Sequence, residues 1–256
     1  MSEMLTLKNV TKKFGGLTAV GGVDFSIKKG EIFGLIGPNG AGKTTIFNLI
    51  TGIYGLTEGD VLFEGKSISG LKPFQIANTG ITRTFQNIRL FKNLTTYENV
   101  LIACHKSASY GLLDSVFRTR KFKNEEKLLA KKAENLMELM GLTQHKNMLA
   151  SNLPYGLQRR LEIARALALN PKLILLDEPA AGMNPEETLR LMELIREIRD
   201  KLDVTVLVIE HHMDLIMGVC DRIFVLNFGL PLAQGSPKEI QDDKNVIEAY
   251  LGKEDE

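Results

Sequence analysis

Residues suited to phosphate chemistry occur at three separated places. The run Gly37-Pro38-Asn39-Gly40-Ala41-Gly42-Lys43-Thr44-Thr45 has the spacing Gly-x4-Gly-Lys-Thr, which makes a backbone cradle for a nucleotide's phosphates. Successive N–H groups point inward as a nest, and the helix that follows adds partial positive charge at its N-terminus. Lys43 is placed to reach the β- and γ-phosphates, and the Thr44 hydroxyl to sit on Mg²⁺. Far along the chain, Asp177-Glu178 ends an apolar run. A carboxylate held there can position the metal through its water shell. The next one can polarise an attacking water as a general base. His211 follows the next apolar run, within Glu210-His211-His212. A parallel neighbour strand brings its imidazole to the same sheet edge, within reach of the γ-phosphate. Spacing does not choose between His211 and His212.

These groups need rigid supports, and the sequence supplies them. Ile32–Ile36 enters the glycine-rich loop as a strand, and Thr44–Thr51 leaves it as a helix. Lys172–Glu178 and Val204–Ile209 are apolar enough to be buried strands. Leu5–Val10 and Val23–Ile27 alternate like half-buried strands and predict an antiparallel ribbon that runs on into Ile32–Ile36. Asp60–Phe63 reads as a strand, Pro73–Asn78 as a short helix, and Gly80–Gln86 as a further strand. After Gln86 the pattern turns helical. Thr95-Thr-Tyr-Glu98 is a capping box for a helix through about Ala103. Glu125–Met140 carries Leu129, Ala133, Leu136, Met137 and Met140 at helical spacing, a core face. Another helix begins near Tyr155. The basic run Arg118–Lys123 reads as a solvated face. Beyond the carboxylates, Asn184-Pro185 caps a helix with Glu187 at its third position. Arg222–Asn227 and Leu230–Gln234 suggest a hairpin, and Ser236–Glu239 caps a last short helix. The expected architecture is α/β: a mixed sheet core at 1–86 and 166–256 with an antiparallel β portion, interrupted by a helical insertion at 87–165.

Composition narrows the class. The 256 residues are 44% hydrophobic, which is ordinary for a chain with a real core. Thirty-two basic against 31 acidic residues leave a net charge of +1, which argues against a nucleic-acid partner. Cys104 and Cys220 have no metal or redox spacing and read as buried thiols of a reducing compartment. Neither a signal peptide nor a run of about 20 apolar residues occurs. A protein soluble when isolated is expected, with any membrane role coming through a partner.

The order of phosphate loop, Gln86, helical insertion, Leu175-Leu-Asp-Glu-Pro179 and His211 resembles the nucleotide-binding subunits of ATP-binding-cassette transporters over nearly the whole chain. The resemblance implies the phosphate-loop NTPase fold of that type, with ATP and Mg²⁺ bound. It also implies head-to-tail pairing with a second ATPase subunit, so that each subunit's signature segment completes the other's site. Lys43, Thr44, Thr45, Gln86, Asp177, Glu178 and His211 match the family's motifs without substitution. Gln86 would then coordinate metal, a role its residue type alone does not assign. Phe14 looks like the aromatic that stacks on adenine. The signature departs: in place of Leu-Ser-Gly-Gly-Gln stands Leu153-Pro154-Tyr155-Gly156-Leu157, with no serine hydroxyl and no glutamine. Its Gly156 and the helix-start N–H groups can still face an anion. After Glu178, the usual Ser-Ala-Leu-Asp becomes Ala181-Gly-Met-Asn184.

Those departures resemble a narrower group. Leu153-Pro-Tyr-Gly with Gln158–Leu167, Arg83–Phe91, Glu178–Pro185 and Ile209–Met213 look like the ATPases of branched-chain amino acid importers. Extra residues around Tyr110–Lys127 match the longer, LivG-type subunit of the two such importers use. Pro154 and Asn184 are normal in that group, whereas Leu157 remains a departure. The implied partners are the shorter sister subunit or a second copy, integral-membrane permease subunits and, indirectly, a solute-binding protein. The implied place is the cytoplasmic face of the inner membrane, peripherally bound. A lipid or lipopolysaccharide exporter ATPase has a close pattern and is the alternative. A soluble non-transport cassette ATPase is a second, though such proteins usually carry two cassettes or a long coiled-coil insertion.

Overall fold

The computed structural model describes residues 2–251; residue 1 and residues 252–256, which fall in the expected ATP-binding core, lie outside it. The chain divides into two compact units, one running up to Arg83 and resuming at Lys172, the other Thr84–Pro171. The expected boundary at 165/166 passes through the last turn of a helix that ends at Leu167.

In chain order the first unit contains β1 (Glu3–Phe14), β2 (Leu17–Lys28), β3 (Ile32–Ile36), α1 (Lys43–Ile50), β4 (Glu58–Phe63), β5 (Lys66–Ser67), α2 (Pro73–Thr79) and β6 (Ile81–Arg83). The second unit holds α3 (Thr96–Cys104), α4 (Leu112–Phe117), α5 (Arg120–Leu139) and α6 (Tyr155–Leu167). The chain then returns to the first unit with β7 (Leu173–Asp177), α7 (Pro185–Leu202), β8 (Thr205–Ile209), α8 (Met213–Val219), β9 (Arg222–Asn227), β10 (Leu230–Gly235), α9 (Pro237–Gln241) and α10 (Lys244–Leu251).

Two sheets organise the first unit. One is antiparallel, in the order β2-β1-β4-β5; the other has the order β10-β9-β3-β8-β7-β6 and is parallel from β9 to β6. Contrary to the expectation from alternation, the ribbon β1-β2 does not continue into β3. β3 is buried along its whole length and pairs with β8 and β9 in the other sheet, as suits a continuous apolar strand of a parallel sheet. Side chains of α1 (Ile46, Phe47, Ile50) share one core with Leu5, Leu7 and Val61 of the antiparallel sheet and Leu35, Leu207 and Ile209 of the parallel one. The helix that follows the phosphate loop is thus the centre of the core.

In the second unit, the strand expected to reach Gln86 stops at Arg83. The Phe85 N–H donates to Glu162, and the Phe85 and Gln86 carbonyls accept from Arg159, so side chains replace a strand ladder there. α5 begins five residues before Glu125, because the Thr119 hydroxyl accepts from the Phe122 N–H and caps it earlier. α4, α8 and α10 were not expected from the sequence pattern; α4 is short, and its apolar residues carry no inward periodicity.

Candidate active site

β3 delivers the chain into the phosphate loop, where two glycines are required sterically. Gly37 has φ 150°, and a Cβ on it would lie 2.1 Å from the Leu226 carbonyl oxygen. Gly42 has φ 99°, and a Cβ there would lie 2.8 Å from the Ala19 carbonyl oxygen. Gly42 is also the N-cap of α1 and offers no side-chain cap, and no acidic residue occupies the first turn. The N–H groups opening α1 therefore present their partial positive charge to whatever anion enters.

A cleft of about 430 Å³ opens over them, lined by Asn39–Thr45 together with Glu178 and His211. Leu17, Thr18, Ala19 and Phe228 complete its wall. Gly37 and Pro38 instead supply carbonyls to Lys43, whose Nζ donates to them at 2.7 and 3.0 Å. Burial pushes the Lys43 ammonium below its usual value, and the charges of Glu178 and Asp177 pull it back up. A phosphate is a stronger acceptor than two carbonyls, so Lys43 is a cation held in reserve for one.

The carboxylates arrive on β7, whose Asp177 is in register with Ile209 of β8. Asp177 and Glu178 take different environments. Asp177 is buried in an ion pair with Arg83 at 2.6 Å, and Arg83 also donates to Asn48 of α1 at 2.6 Å. Glu178 turns into the cleft through a left-handed backbone with φ 47°. That conformation costs of the order of 1–3 kcal/mol for a residue with a side chain. It is fixed by its N–H donating to the Ile209 carbonyl at 2.9 Å. Glu178 Oε1 lies 2.6 Å from His211 Nε2. With the carboxylate ionised, Nε2–H donates.

The tandem histidines are thereby told apart. His211 meets Glu178, whereas His212 Nδ1 meets Glu210 at 3.1 Å. Glu210 is buried, and it accepts from the Ala180 N–H at 2.6 Å and the His211 N–H at 3.0 Å. One carboxylate thus fixes the turn after Glu178 to the turn that carries His211.

Phe14 ends β1, half exposed, edge-on to Tyr54 at 5.2 Å, with the Lys12 ammonium 4.9 Å from its ring centre. Its cross-strand partner, Leu17, lines the cleft. Thr44 is exposed in the cleft and shares it with Glu178, oxygen donors of the hard kind that suits Mg²⁺, whereas Asp177 is buried against Arg83 and does not line the cleft. No cluster of three metal-ligating His, Cys, Asp or Glu side chains occurs among the described residues. Such a cation would draw its remaining ligands from water and phosphate oxygens, as Mg²⁺ commonly does.

The other expected residues lie in the helical unit. Gln86 is exposed, and its carbonyl accepts from Arg159 at 2.8 Å. Leu153 is buried, and Pro154 is the N-cap of α6 without a side-chain cap bond. Tyr155 and Gly156 open the helix, and the Leu157 N–H donates to the Pro154 carbonyl at 3.0 Å. An uncapped, exposed helix start is what an anion-facing segment needs when it has no serine.

Known proteins are similar to this chain in sequence and fold. The family model described as "ABC transporter" matches residues 20–181. The chain belongs to the ATP-binding cassette family. A second model, "Branched-chain amino acid ATP-binding cassette transporter", matches residues 231–256. The high-affinity branched-chain amino acid transport ATP-binding protein LivG of Escherichia coli is 47% identical over 97% of this chain and 98% of its own. BraF of Pseudomonas aeruginosa, described in the same words, is 46% identical over the same shares. Among solved structures, the ADP conformation of MJ1267, an ATP-binding cassette of an ABC transporter, superposes with a TM-score of 0.85 at 34% identity, covering 99% of this chain and all of that one. The dimeric post-hydrolysis state of the ATP-binding cassette MJ0796, bound to ADP and Pi, gives 0.77 at 28% identity, covering 91% of this chain and 99% of that one. This cassette is an α/β ATPase domain of that fold.

Sequence reading missed several groups. Arg83 and Glu210 fix the carboxylate and histidine turns, Arg159 holds the Gln86 backbone, and Leu17 and Phe228 wall the cleft. Tyr250 on α10 is another. Burial pushes its phenol up to about 12, and the Gly37 N–H donates to it in partial opposition. None of them carried a local signal of its task.

Proposed function

We propose that this chain binds ATP with Mg²⁺ and hydrolyses it to energise uptake of branched-chain amino acids through a membrane permease. The substrate class rests on the likeness to LivG and BraF along nearly the full chain. The chemistry rests on one observation: Glu178, 2.6 Å from His211, lines the same cleft as the uncapped start of α1 and Thr44. In that arrangement Lys43 and the loop N–H groups hold the phosphates. Glu178 takes a proton from a water aimed at the γ-phosphorus, and the bond from the γ-phosphorus to the ADP oxygen breaks. His211 orients Glu178 and contacts the γ-phosphate. Thr44 and Asp177 would hold Mg²⁺, which when bound would supply positive charge to offset that of the phosphates.

Adenine would stack on Phe14. The sites would be completed in pairs, each phosphate loop meeting the Leu153–Leu157 segment of a second ATPase subunit, a sister or a copy. No described helix is long and apolar enough to cross a membrane, so the permease would hold the chain at the cytoplasmic face of the membrane. The decisive experiment is Glu178→Gln. The amide keeps the shape of the cleft but cannot take the proton, so hydrolysis should fall by roughly 10²–10⁴ with ATP affinity preserved. Normal turnover in this variant would remove Glu178 as the base. Purification from native membranes with identification of the attached permease tests the transport role.

A further inference from the structure

In the helical unit, α4 has its polarity inside out. Leu112, Leu113, Val116 and Phe117 are 85%, 74%, 70% and 73% exposed. At positions i, i+1, i+4 and i+5 they form one continuous outer face. The polar Asp114 and Ser115 are the half-buried ones, and Asp114 accepts from the Gly111 N–H and the Thr119 hydroxyl. The segments flanking the helix are tied to each other: the Tyr110 and Phe122 rings meet edge-on at 5.0 Å, and Lys121 donates to the Ser109 carbonyl at 2.8 Å. Exposed basic side chains flank the helix along the chain: Lys106 before it, and Arg118, Arg120, Lys121 and Lys123 after it. Three acids lie in the same segment, Asp114, Glu125 and Glu126, so the five bases outnumber them.

We propose that α4 and its basic flank form a membrane-surface contact that seats on anionic phospholipid. Leu, Val and Phe enter the headgroup–acyl boundary while Lys and Arg meet the phosphates. Charge decides the occupant. Cytoplasmic loops of membrane proteins carry an excess of Lys and Arg, so a permease loop would repel this patch, whereas anionic lipid attracts it. A six-residue helix is also too short to lay successive anchors into a protein groove. The patch would therefore add a lipid contact of the chain's own beside any permease. The assignment assumes that the cassette works at a membrane, but its test needs neither permease nor ATP.

The chain has no tryptophan, so Phe117→Trp introduces a single reporter. Its emission should shift to the blue on vesicles of phosphatidylglycerol and phosphatidylethanolamine, not on neutral phosphatidylcholine, and salt should reverse the shift. In flotation of the full chain, the pair Leu113→Ser and Phe117→Ser should weaken binding to anionic vesicles. The triple change Arg120→Gln, Lys121→Gln, Lys123→Gln should weaken it about tenfold or more. ATPase activity in solution, measured on the same preparations, should be unchanged, which separates failure of this contact from failure of the enzyme. Equal binding to neutral and anionic vesicles, or equal binding by parent and variants, would overturn the proposal. So would self-association abolished by the serine variant, or capture by a detergent-solubilised permease without any vesicle binding.

Discussion

Arg83 shows how much of this site depends on a residue that touches no substrate. It is the counter-ion of Asp177, and the pair is nearly solvent-free, with side chains 7% and 3% exposed. Removing one member of such a pair leaves the other charged and desolvated. Arg83→Met should therefore cost about 3–5 kcal/mol in stability; Arg83→Lys should recover part of that, keeping the charge but not the fork that also holds Asn48. Urea denaturation measures both, and a methionine variant as stable as the parent would refute the role. Glu210 acts similarly on the catalytic turns. Glu210→Ala orphans the Ala180 and His211 N–H groups, at about 1–3 kcal/mol each. The loosened turns should lower ATP hydrolysis while ATP still binds, and Glu210→Gln, which keeps an acceptor, should restore most of it. Parallel hydrolysis and nucleotide-binding assays decide; unchanged hydrolysis in the alanine variant would count against it. Lys43, Thr44 and Glu178 were legible in the sequence because each sits in a local pattern with a chemical reason, whereas the pattern left His211 and His212 open until the contact with Glu178 separated them. Arg83 and Glu210 were not, because their partners lie 94 and 30 residues away, at Asp177 and Ala180.

Elements follow the same division. The capping boxes at Thr95–Glu98, Asn184–Glu187 and Ser236–Glu239 are all formed, since their bonds are local. Which sheet β3 would join was not readable, because alternation within a strand does not name its neighbour. α4 escaped notice because its apolar face serves no core. α6 carries the element-scale prediction. Its start is uncapped, and the Leu157 backbone N–H, not its side chain, bonds to Pro154. If the segment acts on an anion through main chain and helix dipole, Leu157→Gln should leave ATPase activity similar or raise it. A steady-state assay tests this; a large loss would show that the half-buried Leu157 side chain has a packing task of its own.

At the scale of the whole molecule the question is whether one chain holds a complete site. The phosphate loop with Glu178 belongs to one compact unit, and the α6 start to another. In the proposed pairing the second serves the partner. Gly156→Asp separates the two roles. Aspartate in the first turn favours the helix through its macrodipole, so the fold should persist, but its charge stands where the partner's phosphate must sit. Alone, this variant should bind ATP and hydrolyse it poorly. Glu178→Gln alone should also be inactive, for lack of a base. Mixed, the two chains can form dimers in which the intact loop and Glu178 of one meet the intact α6 start of the other. That dimer has a working site, so activity should reappear on mixing, rise with protein concentration and depend on the ratio of the chains. Sizing chromatography with ATP should show a dimer in the mixture. A mixture as inactive as its components, although dimeric with ATP, would mean that each chain completes its own site. Recovery only on adding the sister subunit would mean that the working pair is mixed in kind rather than a pair of copies.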